Sequence, residues 1–369
     1  MRKYFAYTLR KALWPTVIIF VIALLQIILP EALTEAYYSA GSPGIGYEYF
    51  YIDTPPIMSL VIFFLGASFG IPILQFHFAK NTRLVDQYYS APIKRKHLLL
   101  TNWLVGYLML AALTIVIVLL LILTVSSKPN VYVMKHFFVL IPFLLIAELF
   151  LYSINSFIFH QANSILDGII YMVLSIVLVF MVWSTILGLI PPFDFEDKPK
   201  LPTFLTISPF IYLMEDTFLE FLIHPTSEIT GRPDLTRLPT LKIELGTILD
   251  LVYLLVLSGI SVFFLLFMAK KEKVERARQI SDSYVGYKVM LPIFILTFTA
   301  LIGNEPLAVL LIPLPLAIIL TLIYRRNFKI PFRHLLPIII SYVAGVGLNF
   351  LIDYLQTNVY GAVFISYMS

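Results

Sequence analysis

Long apolar segments separated by short polar ones run along the whole chain. A helix needs roughly 20 apolar residues to cross about 30 Å of hydrocarbon, and several segments reach that length. The pattern predicts spans at about residues 12–33, 57–78, 99–125, 137–159, 168–190, 246–269, 289–302, 307–324 and 335–354. The expected fold class is therefore an all-α polytopic membrane protein.

The composition excludes a water-soluble globular protein. Hydrophobic residues make up 59% of the chain and charged residues only 13%, whereas soluble domains are about 25% charged. The chain has no cysteine, which excludes disulfides, a thiol nucleophile and a thiolate metal site.

The polar segments divide the chain into regions. At the N-terminus, Arg2, Lys3, Arg10 and Lys11 alternate with apolar residues, which is typical of an amphipathic helix lying in the headgroup region. The alternative is a charged start that only follows the positive-inside rule. We expect an interfacial helix over 1–14 and a six-span body over 12–269. The body would include a cytoplasmic loop at 80–98 and a long extracellular loop at 191–245. A basic cytoplasmic linker over 270–288 and additional spans over 289–369 would follow.

The distribution of basic residues predicts the orientation. The segments assigned to the inside hold 19 of the 26 Lys and Arg residues. Cytoplasmic loops carry an excess of these residues, so we expect a cytoplasmic N-terminus and a location in the cell membrane.

The most basic short loop joins the second and third predicted spans. Residues 84–90 have helix-compatible spacing, and Pro92 then stops a helix because proline disfavours helical geometry in the preceding residue. A short helix, a break and a basic patch are therefore expected. The basic residues of the loop are Lys80, Arg83, Lys94, Arg95 and Lys96.

The second span contains two glycines four residues apart, Gly66 and Gly70, with Ser68 between them. The letters match the G-x-S-x-G of serine hydrolases, but that motif works on a strained turn between a strand and a helix. Inside an apolar helix the same residues form a small-xxx-small pattern, which lets two helices approach closely. Helix packing is the interpretation that we adopt.

The fourth span contains one acidic residue, Glu148. A carboxylate in hydrocarbon costs about 2.5–3.5 kcal/mol on insertion scales, so it is a functional candidate. Tyr152 and Asn155 lie on the same side at helical spacing, and His160 or Gln161 could extend that side. One interpretation is a transport path along Glu148 and Asn155, and the other is hydrogen bonding between helices that fixes packing.

Several other chemistries have no support in the sequence. The six histidines are scattered without metal-ligand spacing, and no P-loop occurs. There is no credible catalytic cluster, so we expect neither an enzyme nor a metal site. The basic loops are ordinary topology signals and contacts to anionic lipid, and no nucleic-acid partner is expected.

The loop before the third span resembles the ABC-2-type family of ABC transporter permeases. Gram-positive members have an acid, aromatic residues, a small residue and Pro-Ile-Lys-Arg at this place. The matching residues here are Asp86, Tyr88, Tyr89, Ser90, Ala91, Pro92, Ile93, Lys94 and Arg95. The layout of residues 1–270 is similar to the six-span plan, and the last hundred residues depart from it.

The resemblance implies a mechanism and partners. Residues 84–91 would be a coupling helix seated on a separate ATP-binding subunit. Arg83, Lys94, Arg95 and Lys96 would pair with its acids, and Tyr88 and Tyr89 would fill its groove. ATP and magnesium would bind to that subunit, this chain would bind no cofactor, and a second permease chain, identical or related, would complete the route.

The predicted function is therefore the membrane subunit of an ATP-driven exporter. Because few charged residues lie in the spans, an amphipathic peptide, antibiotic or lipid-like cargo is expected. The alternative is an ion- or proton-coupled secondary transporter using Glu148.

Overall fold

A computed structural model describes residues 2–30, 38–40, 48–50, 55–81, 93–126, 137–189, 245–268, 286–302, 312–325, 332–355 and 357. Within these residues the chain is helical apart from one short ribbon. The helices are α1 (Arg2–Ala23), α2 (Pro55–Phe76), α3 (Arg95–Ser126), α4 (Phe137–Gln161), α5 (Ile165–Leu189), α6 (Leu245–Met268), α7 (Tyr287–Leu301), α8 (Pro313–Arg325) and α9 (Phe332–Tyr354). A π-helical segment, Leu24–Ile28, extends α1, and a 3₁₀ turn, His77–Lys80, follows α2.

Six helices of the described part are long and apolar enough to cross a membrane. Their apolar stretches are Lys3–Ile28, Arg95–Thr124, Ile141–Gln161, Ile165–Ile186, Leu251–Met268 and Leu335–Tyr354. The prediction of a helical membrane protein is confirmed to this extent. Helix α2 has 22 residues and no charged side chain, at the place of the second predicted span. The two helices at the seventh and eighth predicted spans are shorter, with 15 and 13 residues.

The predicted interfacial helix and the start of the first predicted span lie in one continuous helix, and the placement of residues 1–14 in the headgroup region stays a prediction. Residues 2–23 form one α-helix that runs through Pro15, and the candidate span begins at Lys3. Proline removes one main-chain donor from a helix, and helices of membrane proteins tolerate this where nearby side chains satisfy the backbone. The hydroxyl of Thr16 donates to the carbonyl oxygen of Ala12 at 2.7 Å, one position beyond the carbonyl of Lys11 that Pro15 would otherwise serve.

The predicted inner turn over 160–167 is shorter in the structure. Helix α4 continues to Gln161, and α5 already begins at Ile165. The side chain of Ser164 accepts a hydrogen bond of 3.1 Å from the main-chain N–H of Asp167, which caps α5. The acidic side chain of Asp167 also lies in the first turn, where the helix dipole favours negative charge.

A two-stranded antiparallel ribbon lies in the first predicted outer loop. Strand β1 (Tyr38–Ala40) pairs with strand β2 (Glu48–Phe50), with Ser39 opposite Tyr49. The all-α prediction missed this element, because three-residue strands have no periodicity to detect.

The chain divides into two compact units. The first contains α1, α2, α3, α4 as far as Phe157, and α6. Helix α3 packs along both α1 and α2. The shared core contains Ala23, Ile27, Phe64, Ile71, Leu110, Leu113, Ile117, Leu144 and Tyr152.

The second unit contains the end of α4, α5, α7, α8 and α9. Helix α7 packs against α9 and α5, over a core of Leu291, Ile295, Ala317, Ile338 and Tyr342. A Cβ atom placed on Gly345 of α9 would lie 2.7 Å from the carbonyl oxygen of Leu296, so these two backbones come close because residue 345 is glycine. The amide of Asn349 donates to the carbonyl oxygen of Ala300 at 3.1 Å and joins the same two helices.

Candidate functional site

The carboxyl group of Glu148 lies inside the first unit. Its residue is fully buried, and the helix that carries it packs against α2 and α3 through the shared core. The hydroxyl of Thr114, on α3, is hydrogen-bonded to Glu148 Oε1. Among the described residues, Glu148 Oε2 has no hydrogen-bond partner. A completely buried carboxyl with one unsatisfied oxygen is the most unusual polar group that the structure describes in this unit.

Thr114 makes a second contact from the same oxygen. Its Oγ1 atom lies 3.0 Å from the main-chain carbonyl oxygen of Leu110, one turn earlier in α3. Bonds from Thr to the carbonyl four residues before are common in helices. The hydroxyl therefore links the backbone of one helix to the acid of another.

Asn155 lies about two turns beyond Glu148 on the same helix. Its amide donates a 3.2 Å hydrogen bond to the main-chain carbonyl of Ser68 in α2, and the Ser68 hydroxyl donates to Leu65 of its own helix at 2.8 Å. Asn155 and Ser68 are both buried. The contacts of Glu148 and Asn155 are thus hydrogen bonds between helices, and their role in a transport path stays a prediction.

An aromatic group lies between these two polar contacts along α4. The hydroxyl of Tyr152 donates to the carbonyl oxygen of Trp103 at 3.0 Å, and Tyr107 donates to the carbonyl oxygen of Leu145 at 3.3 Å. The rings of Trp103 and Tyr107 are stacked with centroids 6.1 Å apart. Gln75 Nε2 donates a hydrogen bond to the sulfur of Met109, and the two atoms lie 3.0 Å apart.

The two glycines predicted for helix packing have open space beside them. A Cβ atom on Gly66 or Gly70 would meet no described atom within 4 Å, so neither mediates a close helix approach inside the described part of this chain. Gly106 does so instead, since its Cβ would lie 2.9 Å from Gln75 Cγ. The sequence carries no small-xxx-small pattern at Gly106, which is why pattern analysis missed it.

The predicted partner-binding loop is described only at its end. Arg83, Asp86, Tyr88, Tyr89 and Pro92 lie outside the described residues. Lys94, Arg95 and Lys96 are exposed. The main-chain carbonyl of Lys94 accepts hydrogen bonds from the N–H groups of His97 and Leu98, at 2.8 and 3.1 Å, and so begins α3.

Lys80 has a buried position that the sequence did not indicate. It is the first cation of the basic loop, yet it is only 3% exposed. Its ammonium donates to the carbonyl oxygens of His160, at 2.8 Å, and of Ala162. It also lies 5.9 Å from the centroid of the Phe159 ring. In the second unit this cation binds the C-terminal end of α4, where the last carbonyls of a helix carry partial negative charge.

Metal binding has no support in the described residues. No group of three or more His, Asp or Glu side chains is arranged there to hold a metal ion.

Comparisons with known proteins give no relative. No family model, no curated protein and no solved structure matches the chain.

Proposed function

We propose that the chain is the membrane-spanning subunit of an ATP-driven exporter of the ABC-2 type. The cargo would be an amphipathic peptide, antibiotic or lipid-like molecule that crosses the cytoplasmic membrane. The proposal rests first on the resemblance of residues 86–95 to the coupling segment of such permeases. The sequence has no P-loop, so nucleotide binding is assigned to a separate subunit.

The observation that carries the proposal is the exposed cationic start of α3. Lys94 and Arg95 end the motif and Lys96 follows it, and all three are exposed. Arginine and lysine at such a place can pair with acidic side chains of a partner, and aromatic residues next to them supply the apolar anchors that binding hot spots use. Tyr88 and Tyr89 are assigned that second role.

The test is association with a nucleotide-binding subunit in the native membrane. The tagged chain is extracted gently, and co-purified polypeptides are photolabelled with azido-ATP. Neutralising Lys94, Arg95 and Lys96 to Gln is expected to lower the labelled partner at least about tenfold, as the loss of an interface hot spot would. The matched control neutralises Arg325, Arg326 and Lys329, which lie in another predicted inner loop. Equal labelling in both variants, or no labelled polypeptide with the parent chain, contradicts the proposal.

A second candidate is an ion- or proton-coupled transporter that uses Glu148. The complete burial of this carboxyl supports it, because an ionisable residue inside a membrane helix is costly and marks a candidate functional site. The purified chain alone, in proteoliposomes with an imposed gradient, would then transport its cargo. Transport that needs no gradient, or that persists in Glu148→Gln, excludes this candidate.

A further inference from the structure

The layer of the first unit around Glu148 contains an acid and no base. Five apolar stretches build the described part of the first unit, residues 13–30, 55–76, 98–126, 137–157 and 245–268. Their ionisable side chains are Tyr107, Glu148, Tyr152, Asp250 and Tyr253, and none of these is a base. A buried carboxylate without a cationic partner is strongly disfavoured, since it loses hydration and gains no opposing charge.

Tyr107 and Tyr152 do not supply the missing charge. The hydroxyl of Tyr107 donates to the carbonyl oxygen of Leu145, and that of Tyr152 donates to the carbonyl oxygen of Trp103. A phenol that donates a hydrogen bond is neutral, so neither ring balances or opposes an ionised carboxyl.

The hydrogen-bond geometry at Thr114 suits the protonated form of the acid. Thr114 Oγ1 is in hydrogen-bond contact with both Glu148 Oε1 and the carbonyl oxygen of Leu110. A hydroxyl carries one hydrogen, which it gives to one acceptor or shares between two. The Leu110 carbonyl has no hydrogen to give. With an ionised acid the two acceptors share the one hydrogen of Thr114. With a protonated acid, Glu148 donates to Thr114, which donates in turn to Leu110, and each contact has a hydrogen of its own.

The other carboxyl oxygen agrees with a neutral acid. Glu148 Oε2 has no partner among the described residues. In the ionised form this oxygen would carry half of a negative charge, and its burial without a donor would be costly. In the protonated form it is an ordinary carbonyl oxygen, for which a missing donor costs less.

We propose that Glu148 is a proton-binding site that is occupied in the conformation described here. The bound proton lies between Oε1 and the hydroxyl of Thr114, and it leaves when α3 and α4 part enough to admit water. The proposal deepens the second candidate function and rests on it only for the step from proton binding to transport. The ligand is a proton and not a metal ion, because hard cations take about six oxygen ligands and the described partner of this carboxyl is a single hydroxyl.

Infrared spectroscopy of the purified full-length chain at neutral pH tests the protonation directly. The difference spectrum between the parent and Glu148→Gln is expected to show the carbonyl band of a protonated carboxylic acid, while the other acids in solvent contribute carboxylate bands to both samples. Thr114→Val should shift this band, because the acid loses its acceptor. Thr101→Val is the matched control on the same helix, since the Thr101 hydroxyl donates to the carbonyl of His97 instead.

A hydrophobic carbodiimide tests whether the proton can exchange. The acid gives its proton to one carbodiimide nitrogen and its oxygen bonds to the central carbon. The product then rearranges to a stable N-acylurea with no leaving group. Mass spectrometry of the treated parent chain should locate this adduct at Glu148 at neutral pH. The yield of the adduct should fall several-fold under alkaline conditions.

The outcomes separate the site from the function. A carboxylate band in place of the acid band overturns the proposal, and loss of the acid band on adding sodium chloride assigns the site to a metal ion instead. A chain with the acid band and the adduct, but with no gradient-driven transport, keeps the proton site and rejects the second candidate function.

Discussion

Tyr152 on α4 donates a 3.0 Å hydrogen bond to the main-chain carbonyl of Trp103 on α3, and its ring lies beside Gly106 of that helix. A Cβ atom on residue 106 would lie 2.9 Å from Tyr152 Cζ. The bond between the two helices is therefore possible because residue 106 has no side chain. Tyr152 is fully buried and has no room to move aside without disturbing its own hydrogen bond.

Gly106→Ala is expected to destabilise the chain. The added methyl group meets Tyr152 and Gln75 in a packed interior, and overpacking of this kind costs about 1–3 kcal/mol. Thermal unfolding in detergent measures the loss. Gly66→Ala is the control, because a Cβ there meets nothing within 4 Å. If both variants unfold at the same temperature as the parent chain, Tyr152 does not pack closely against Gly106.

The contrast between these glycines shows what sequence analysis can and cannot see. Gly66 and Gly70 stand four apart in an apolar segment, and that spacing predicts a packing face. The importance of Gly106 comes from Tyr152, which is 46 positions away in the sequence. Such a contact depends on the register between two helices, which a single sequence does not contain.

Helix positions were predictable for a different reason. The membrane requires long apolar segments, and these are visible directly in the order of residues. The ends were less predictable, because they depend on single caps such as Ser164. Glu148 was also predictable as a candidate, since an acid in an apolar helix is conspicuous, but its pairing with Thr114 was not.

Lys80 is the clearest case of a misleading residue type. In the sequence it belongs to a basic loop, and in the structure it is buried against the end of α4. Lys80→Met leaves an unbranched side chain that is one atom shorter and removes the ammonium that donates to the carbonyls of His160 and Ala162. Hydrogen bonds from charged donors contribute about 1.5–3 kcal/mol, so we expect a loss of stability in that range.

Limited proteolysis in membranes measures this loss. Cleavage near the end of α4 should accelerate in Lys80→Met, because the last turn of the helix loses its donor. The control is Lys96→Met, which removes an exposed cation of the same basic loop. The same cleavage rate in the two variants would contradict the anchoring role of Lys80.

Asn155 and Ser68 allow a sharp test of a main-chain hydrogen bond. Asn155→Leu removes the donor and leaves the Ser68 carbonyl buried, and such bonds in membrane proteins average about 0.6 kcal/mol, with a maximum of about 1.7. Ser68→Ala should have little effect on this bond, because the acceptor is the main-chain oxygen of residue 68. The effects of the two substitutions on unfolding should add. Strong coupling between them would mean that Asn155 bonds to the serine hydroxyl instead.

The orientation of the chain can be tested with single cysteines. The protein contains none, so one introduced cysteine is a unique label. Lys94→Cys lies at the exposed start of α3, within the predicted cytoplasmic loop, and Ser39→Cys lies in strand β1 of the predicted outer loop. The excess of Lys and Arg in the assigned inner segments predicts that a membrane-impermeant maleimide labels Cys at 39 from outside intact cells.

Cysteine at position 94 should react only after the membrane is permeabilised or inverted. The partner-driven mechanism requires this result, because an ATP-binding subunit can reach the loop only from the cytoplasm. Lys96→Cys, two residues further on, serves as a repeat of the same measurement. Labelling of positions 94 and 96 in intact cells, with position 39 protected, would place the basic loop outside and remove the basis of the exporter proposal. It would leave the proton site at Glu148 untouched, because that site depends only on contacts within the first unit.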